Sequence, residues 1–192
     1  MIWFTADTHF GHKNIIKYCN RPFTSIEEMT EGLIDNFNQI VKPGDTLYHL
    51  GDISLNKEVD TNKILSRING TKHLLTGNHD RVYMDRLNLS FESIQDYAVV
   101  KVEGVTLVLM HFPILSWDRT QHGAIHLHGH THGGLNNSGT LRFDVGVDCW
   151  GMRPVCLDQI LELLPERFDQ SEGLLLGSIN SLNKAREKYK RV

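Results

Sequence analysis

The order of apolar and amphipathic segments is the feature that most constrains the fold of this chain. In its first half, short apolar runs alternate with stretches whose apolar residues recur at helical spacing, whereas in its second half apolar runs follow one another directly. Alternating strands and helices produce parallel sheets, and consecutive strands tend to pair as neighbours. The chain is therefore predicted to adopt an α/β fold with mixed sheets.

The predicted strands are short apolar runs bounded by turn residues, and they cover 2–6, 46–52, 72–80, 97–113, 124–130 and 140–148. The run 97–113 is interpreted as a hairpin that turns at Glu103 and Gly104. A helix is predicted from Thr24, where Ser25 and Glu28 form a possible capping box. Further helices are predicted at about 58–68, 157–164 and 181–192.

Composition limits the class of protein. The chain has 192 residues, enough for one domain with a core, which we expect to span 1–192. A net charge of −3 provides no general attraction to nucleic acid or to anionic membranes. The three cysteines are odd in number and lack zinc-site spacing, which indicates free thiols. Because no signal peptide or long apolar run is present in the sequence, we expect a cytoplasmic protein without a membrane partner.

Polar side chains able to bind a metal follow one predicted strand after another. They are Asp7, His9, Asp52, Asn78, His79, Asp80, His111, His130 and His132. In open α/β sheets the carboxyl ends of strands meet in one crevice, so these groups are expected to converge. Carboxylate, imidazole and amide oxygen suit a divalent ion such as Mn²⁺, Fe²⁺ or Zn²⁺, and the lack of thiols argues against a structural zinc site.

In this order along the chain, "DTH" (7–9), "GD" (51–52), "GNHD" (77–80), His111 and "GHTH" (129–132) resemble the signature of the calcineurin-like metallophosphoesterases. The matched motifs span about two-thirds of the chain. The resemblance implies a four-layer α/β/β/α sandwich of two mixed sheets flanked by helices. It also implies a dinuclear metal-dependent hydrolase of phosphate esters.

Carried over by position, the resemblance implies two metal sites that share one carboxylate: Asp7, His9, Asp52 and His132 for the first, and Asp52, Asn78, His111 and His130 for the second. It makes His79 the catalytic histidine, oriented by Asp80. The expected cofactors are two divalent ions, Mn²⁺ first, with Fe, Zn, Ni or Mg as alternatives.

General chemistry fits those roles. Two cations about 3.5–4 Å apart require a shared anionic ligand, and a water held between them ionises at a pH of roughly 7. The hydroxide is the expected nucleophile, and a histidine beside the metals can protonate the leaving alkoxide as a general acid.

Two departures from the family bear on the substrate. Protein phosphatases of this family follow "GD" with an arginine motif and have "GNHE", whereas this chain has "GDISLN" and "GNHD". A protein phosphatase is therefore not expected. A small-molecule or nucleotide phosphodiesterase or phosphatase is expected, with a nuclease acting on DNA or RNA ends as the alternative and a non-enzymatic scaffold as a third class. Nucleic acid is expected only as a substrate. The second departure is "MHFP", which replaces the usual glycine–histidine around His111.

The segment 9–23 follows the first metal motif, and His12, Asn14 and Arg21 are predicted to hold substrate phosphate. For Arg21, a surface loop arginine is the equal alternative. Trp117 and Arg119 are suited to contact a nucleotide base, but loop packing is the preferred interpretation of the tryptophan.

The stretch "AIHLHGHTHGG" places a histidine at every second position, which on a strand would align four imidazoles on one face. We interpret His130 and His132, which lie beyond Gly129, as metal ligands. His128 and His126 are expected to support or pack within the strand.

Overall fold

The computed structural model describes residues 1–55, 60–82 and 90–164, together with residues 180, 183, 184 and 187. Its strands, in chain order, are β1 (Ile2–Thr5), β2 (Thr46–His49), β3 (Thr71–Leu75), β4 (Ser93–Gln95), β5 (Tyr97–Val102), β6 (Val105–Met110), β7 (Ile125–His128), β8 (Arg142–Asp144) and β9 (Val155–Cys156). Its helices are α1 (Lys13–Tyr18), α2 (Ile26–Ile40), α3 (Thr61–Leu65) and α4 (Leu157–Glu162).

The strands form two mixed sheets. The first has the order β4-β3-β2-β1-β9, and all of its pairs are parallel except that between β1 and β9. The second has the order β5-β6-β7-β8, in which β5 and β6 form an antiparallel hairpin and the other pairs are parallel. The predicted α/β fold of two mixed sheets flanked by helices is confirmed.

The first sheet is buried on both faces. Neighbouring residues of a strand point to opposite faces, and accordingly Phe4 packs in the core between the sheets while Trp3 packs in the core beneath α2. The second core contains the buried face of α2, including Met29, Leu33 and Phe37. Burial on both faces is typical of parallel sheets.

The cap of α2 realises half of the predicted capping box. Ser25 accepts a hydrogen bond from the backbone N–H of Glu28 at 3.1 Å. The carboxylate of Glu28 turns back to Thr24 instead of Ser25, accepting from its backbone N–H at 2.7 Å and from its hydroxyl at 2.5 Å. Both interactions satisfy groups at the open end of the helix.

Several predicted boundaries shift. The helix predicted at 58–68 is described as α3, with 56–59 outside the described residues, and the predicted 181–192 helix lies mostly outside them as well. The predicted strand 140–148 is only the three-residue β8, followed by a 3₁₀ turn over Val147–Cys149. The elements α1, β4 and β9 were not predicted. Within the described ranges, no helix has both the length and the apolar character needed to cross a bilayer.

Candidate metal centre

The candidate site lies where strands of both sheets end. β1, β2 and β3 run parallel, as do β6, β7 and β8, so the turns after them project from one edge of each sheet. A bridge between Ala6, which follows β1, and Gly146, which follows β8, joins the two edges. The turns that carry the predicted ligands therefore meet between the sheets.

Backbone conformation sets these turns apart. Five predicted ligands have a left-handed backbone, with φ of 57° at Asp7, 50° at His9, 57° at Asp52, 70° at His130 and 46° at His132. This conformation is uncommon for residues other than glycine and costs on the order of 1–3 kcal/mol each. Such residues persist only where surrounding contacts enforce them, so we infer that the fold aims these side chains at one another.

The first group of candidate ligands joins the turn after β1 to the turn after β7. The ligand atoms of Asp7, His9 and His132 all lie within 4.8 Å of one another. Asp7 and His9 are buried, and the rings of His9 and His132 stack with centroids 5.2 Å apart. Asp52 approaches from the turn after β2, with its Oδ2 3.8 Å from Nε2 of His9. These are the four residues predicted for one metal.

The second group joins the turns after β2, β6 and β7. The ligand atoms of Asp52, His111 and His130 lie within 4.8 Å of one another. Nδ1 of His111 donates to the carbonyl of Leu50 at 2.7 Å, so its Nε2 carries a lone pair. That Nε2 lies 3.5 Å from Oδ2 of Asp52 and 3.1 Å from Oδ1 of Asn78, which follows β3. Acceptor atoms that face one another this closely suit a shared cation.

Unpartnered buried atoms mark the first group. Among the described residues, Oδ1 of Asp7 and both ring nitrogens of His9 are buried without a hydrogen-bond partner. Burial raises the pKa of Asp7 well above its usual range, and the charges of Asp144 and Asp52 raise it further. Burial, followed by the imidazole of His132, lowers the pKa of His9 to about 2. A buried carboxylate oxygen and a buried imidazole lone pair that receive no hydrogen bond fit a divalent cation.

Two motif glycines allow the turns to approach this closely. A Cβ on Gly77 would lie 2.5 Å from the backbone nitrogen of Asp52 and closer still to its carboxylate. A Cβ on Gly129 would lie 2.5 Å from Cβ of Ala6 and 2.6 Å from Oδ2 of Asp7. Only glycine fits at either position without displacing a candidate ligand or its neighbour.

Asp80 makes contacts other than those that the resemblance implies. It is buried, and its carboxylate accepts the backbone N–H groups of Asp52 at 2.8 Å, Ile53 at 2.9 Å and Gly77 at 2.8 Å. It therefore fastens the turn after β2 to the turn after β3. This corrects the expectation that Asp80 orients the imidazole of His79, because the carboxylate acts on the backbone that positions Asp52.

The imidazoles of His79 and His12 lie beside the candidate ligands. Nε2 of His79 lies 3.8 Å from Oδ2 of Asp52, and the side chain is 38% exposed. The rings of His79 and His12 lie 5.6 and 5.7 Å from that of His9. Nδ1 of His12 is buried without a hydrogen-bond partner among the residues described. Both imidazoles are thus placed to meet a molecule bound at the centre.

Asn14 and Arg21 are not brought to the centre in the same way. Asn14 is exposed on α1. The side chain of Arg21 is fully buried, and it donates to both carboxylate oxygens of Asp148 at 2.8 Å and to the carbonyls of Thr8 at 2.9 Å and Asp7 at 2.7 Å. The prediction that Arg21 binds substrate is therefore corrected, because the protein itself occupies the guanidinium.

Two carboxylates that support the site were missed. Asp144 accepts hydrogen bonds from the hydroxyl of Thr131 at 2.7 Å and the amide of Gly133 at 3.0 Å, which shapes the turn after β7. Asp148 accepts a hydrogen bond from Nδ1 of His132 at 2.7 Å. Both belong to "DVGVD" (144–148), which ends β8 as the other motifs end their strands, so the same strand-end argument would have found them.

The remaining histidines of the four-histidine stretch pack as expected. β7 ends at His128, so the alternation of a strand stops before the two candidate ligands. Nδ1 of His126 donates to the carbonyl of Val108 at 3.0 Å, and Nδ1 of His128 donates to that of Gly129 at 2.8 Å. The ring of Trp117 lies 5.5 Å from that of His126, in agreement with loop packing.

Known proteins are similar to this chain over nearly its whole length. The chain is 34% identical over 189 residues to the uncharacterized protein MJ1445 of Methanocaldococcus jannaschii, covering 94% of this chain and 97% of that protein. It is 31% identical over 204 residues to the gene 66 protein of Mycobacterium phage L5, and the match covers 90% of this chain and 97% of the phage protein. No family profile matches the chain.

A solved structure shares the fold. The protein of unknown function AQ665 from Aquifex aeolicus superposes with a TM-score of 0.68 at 26% identity, covering 85% of this chain and 98% of that one. The chain belongs to one family with the archaeal and phage proteins.

Proposed function

We propose that this protein hydrolyses small-molecule or nucleotide phosphate esters with the help of two divalent metal ions. The observation that carries the proposal is the position of one carboxylate. Oδ2 of Asp52 lies 3.8 Å from Nε2 of His9, in the first group of candidate ligands, and 3.5 Å from Nε2 of His111, in the second. A carboxylate so placed can bridge cations about 3.5–4 Å apart, the spacing of two-metal hydrolases.

The residues assigned to the ions are the seven predicted ligands: Asp7, His9, Asp52, Asn78, His111, His130 and His132. Their carboxylate, imidazole and amide groups suit Mn²⁺, which we expect, and also Fe or Zn. When bound, the ions would supply Lewis acidity both to activate water and to neutralise the phosphoryl oxygens. Five of these residues have a left-handed backbone, and the contacts that enforce this conformation hold their acceptor atoms in place.

Within this proposal His79 protonates the leaving group. It adjoins Asp52 without belonging to either group of candidate ligands, and its side chain is 38% exposed, so a bound substrate can contact it. A positioned histidine of this kind contributes about 10²–10⁴-fold to a rate.

His12 and Asn14 are assigned to the substrate. The ring of His12 lies 5.7 Å from that of His9, and burial lowers its pKa, which favours the neutral imidazole that can donate a hydrogen bond to a phosphoryl oxygen. Asn14 lies two residues further along, exposed at the start of α1, and its contact with the ester substituent stays a prediction from the sequence.

The test is a hydrolysis screen of metal-free protein reconstituted with Mn²⁺. The substrates are a nucleoside monophosphate, a linear phosphodiester, a cyclic nucleotide, a short single-stranded DNA and a phosphoserine peptide. We expect hydrolysis only after reconstitution, with activity on the linear diester at least equal to that on the peptide. Full activity of the metal-free protein, or a clear preference for the peptide, would refute the proposal, and a preference for DNA would identify a nuclease.

A further inference from the structure

We propose that Asp148, held by Arg21, fixes the tautomer and orientation of His132 and so prepares Nε2 of that imidazole as a ligand. The inference rests on the proposed metal role of His132. It makes Asp148 and Arg21 positioning residues that touch neither metal nor substrate.

The first step concerns the proton on the ring. Nδ1 of His132 lies 2.7 Å from Oδ2 of Asp148, a distance typical of a strong hydrogen bond. A carboxylate that already receives guanidinium N–H groups is an acceptor, so the proton belongs to Nδ1 of the imidazole. When the ring is neutral, Nε2 carries the lone pair, and it is the ring nitrogen that can approach a cation. Carboxylates behind metal-binding histidines act in this way in many proteins.

The second step concerns what holds the carboxylate. Nε and Nη2 of Arg21 reach the two oxygens of Asp148 at 2.8 Å each, a two-point contact that fixes the plane of the carboxylate. The remaining N–H groups of Arg21 reach the carbonyls of Thr8 at 2.9 Å and Asp7 at 2.7 Å. One buried guanidinium thereby ties the support of His132 to the turn that carries Asp7, another member of the same group.

The third step distinguishes this support from a separate metal site. Sγ of Cys19 lies within 4.8 Å of ligand atoms of His132 and Asp148, so these three could in principle bind an ion. The guanidinium of Arg21 already occupies both oxygens of Asp148 and repels a cation there. Burial, followed by the charge of Asp148, also raises the pKa of Cys19 to about 11, which disfavours the thiolate. Asp148 therefore supports His132 and does not form a separate metal site with Cys19.

The test reads the tautomer directly. In metal-free ¹⁵N-labelled protein, long-range ¹H–¹⁵N spectra should show His132 as a single Nδ1-protonated tautomer. Two variants perturb it: Asp148→Asn keeps the shape, and the double variant Arg21→Met with Asp148→Leu removes both buried charges, which avoids an unpaired guanidinium. In each folded variant we expect the preference for Nδ1 protonation to be lost. The affinity of the first group for metal, measured by calorimetry, should fall by about 10–100-fold. The affinity of the second group for metal should stay unchanged.

The matched control is the exposed pair of Arg67 and Glu31, which makes a similar two-point contact at 2.8 and 2.5 Å on the surface. Arg67→Met with Glu31→Leu should leave the tautomer and the metal affinity unchanged. The inference is overturned if His132 in the wild type is protonated on Nε2, or if a folded variant keeps both the tautomer and the affinity. If these results hold but no phosphate ester is hydrolysed, the positioning role stands and the proposed function fails.

Discussion

Among single residues, His79 is more exposed than His9 and His111, two of the imidazoles assigned to the metals. Its side chain is 38% exposed, whereas those of His9 and His111 are 3% and 0% exposed, although all three lie within 4 Å of Oδ2 of Asp52. Partial exposure allows a ring to meet the leaving group of a bound ester. Replacing His79 should therefore affect proton transfer and leave the metals in place.

The variant His79→Ala separates these roles. A nitrophenolate departs without a proton, whereas the alkoxide of a nucleoside needs one. We expect a loss of about 10²–10⁴-fold on a nucleotide ester, a clearly smaller loss on a nitrophenyl ester, and unchanged metal content. His122→Ala, which removes an exposed imidazole, is the control and should not alter either rate. Equal losses on both esters would mean that His79 positions phosphate, and loss of a metal would make it a ligand.

The close approach at Gly77 leads to a second prediction. In Gly77→Ala the new methyl group collides with the backbone and carboxylate of Asp52. We expect metal binding to weaken by about 10-fold or more while the far-UV circular dichroism is preserved. The control is Gly44→Ala, since a Cβ at Gly44 meets nothing within 4 Å. Wild-type metal affinity in Gly77→Ala would contradict the geometry of these turns.

For single residues, the sequence predicts the candidate metal ligands better than it predicts the residues that hold those ligands in position. Each ligand follows a strand, and the ends of parallel strands must meet, so their proximity could be predicted. Arg21 and Asp148 are 127 positions apart in the chain, and no local pattern connects them. Their pairing depends on how the two sheets approach each other, so the sequence alone does not predict that Arg21 is held by Asp148.

Among the secondary-structure elements, α2 can be predicted from its local sequence and α1 cannot. α2 has a side-chain cap at Ser25, glutamates in its first turn and a buried apolar face, and all of these can be read from the sequence. α1 has six residues, and its N-cap, His12, makes no side-chain capping bond. So short a helix depends on tertiary contacts, here including the packing of Ile15 in the core beneath α2.

The extents of β8 and β9 also depend on contacts that the local sequence pattern does not show. β8 stops at Asp144 because the amide of Gly146 turns back to its carboxylate at 2.8 Å, although the apolar pattern continues beyond it. β9 has two residues, too few for any periodicity, and exists because it pairs with β1.

The cap of α2 leads to a prediction for stability. Ser25→Ala removes the side chain that accepts from the N–H of Glu28 and should lower the free energy of unfolding by about 1 kcal/mol. Thr30→Ala, beyond the first turn of the same helix, should be neutral or slightly stabilising because alanine has the higher helix propensity. Urea denaturation of both variants checks this, and an equal effect of the two would show that the cap contributes nothing.

In the whole molecule, the candidate metal centre lies across the contact between the two sheets. Oδ2 of Asp7, after β1, accepts the N–H of His130, after β7, at 2.9 Å, across 123 positions of the chain. Each group of candidate ligands likewise draws on turns from both sheets. The centre therefore depends on the docking of the sheets, and the carboxylate of Asp52 connects its two halves.

The number of ions bound per chain in Asp52→Asn tests that account most directly. Protein is loaded with Mn²⁺, dialysed, and analysed for metal content and diester hydrolysis together, with Asp35→Asn, an exposed carboxylate of α2, as the control. We expect two ions in the wild type and in Asp35→Asn, and fewer than two in Asp52→Asn, with loss of hydrolysis. If Asp52→Asn retains two tightly bound ions and wild-type turnover, Asp52 does not bridge them.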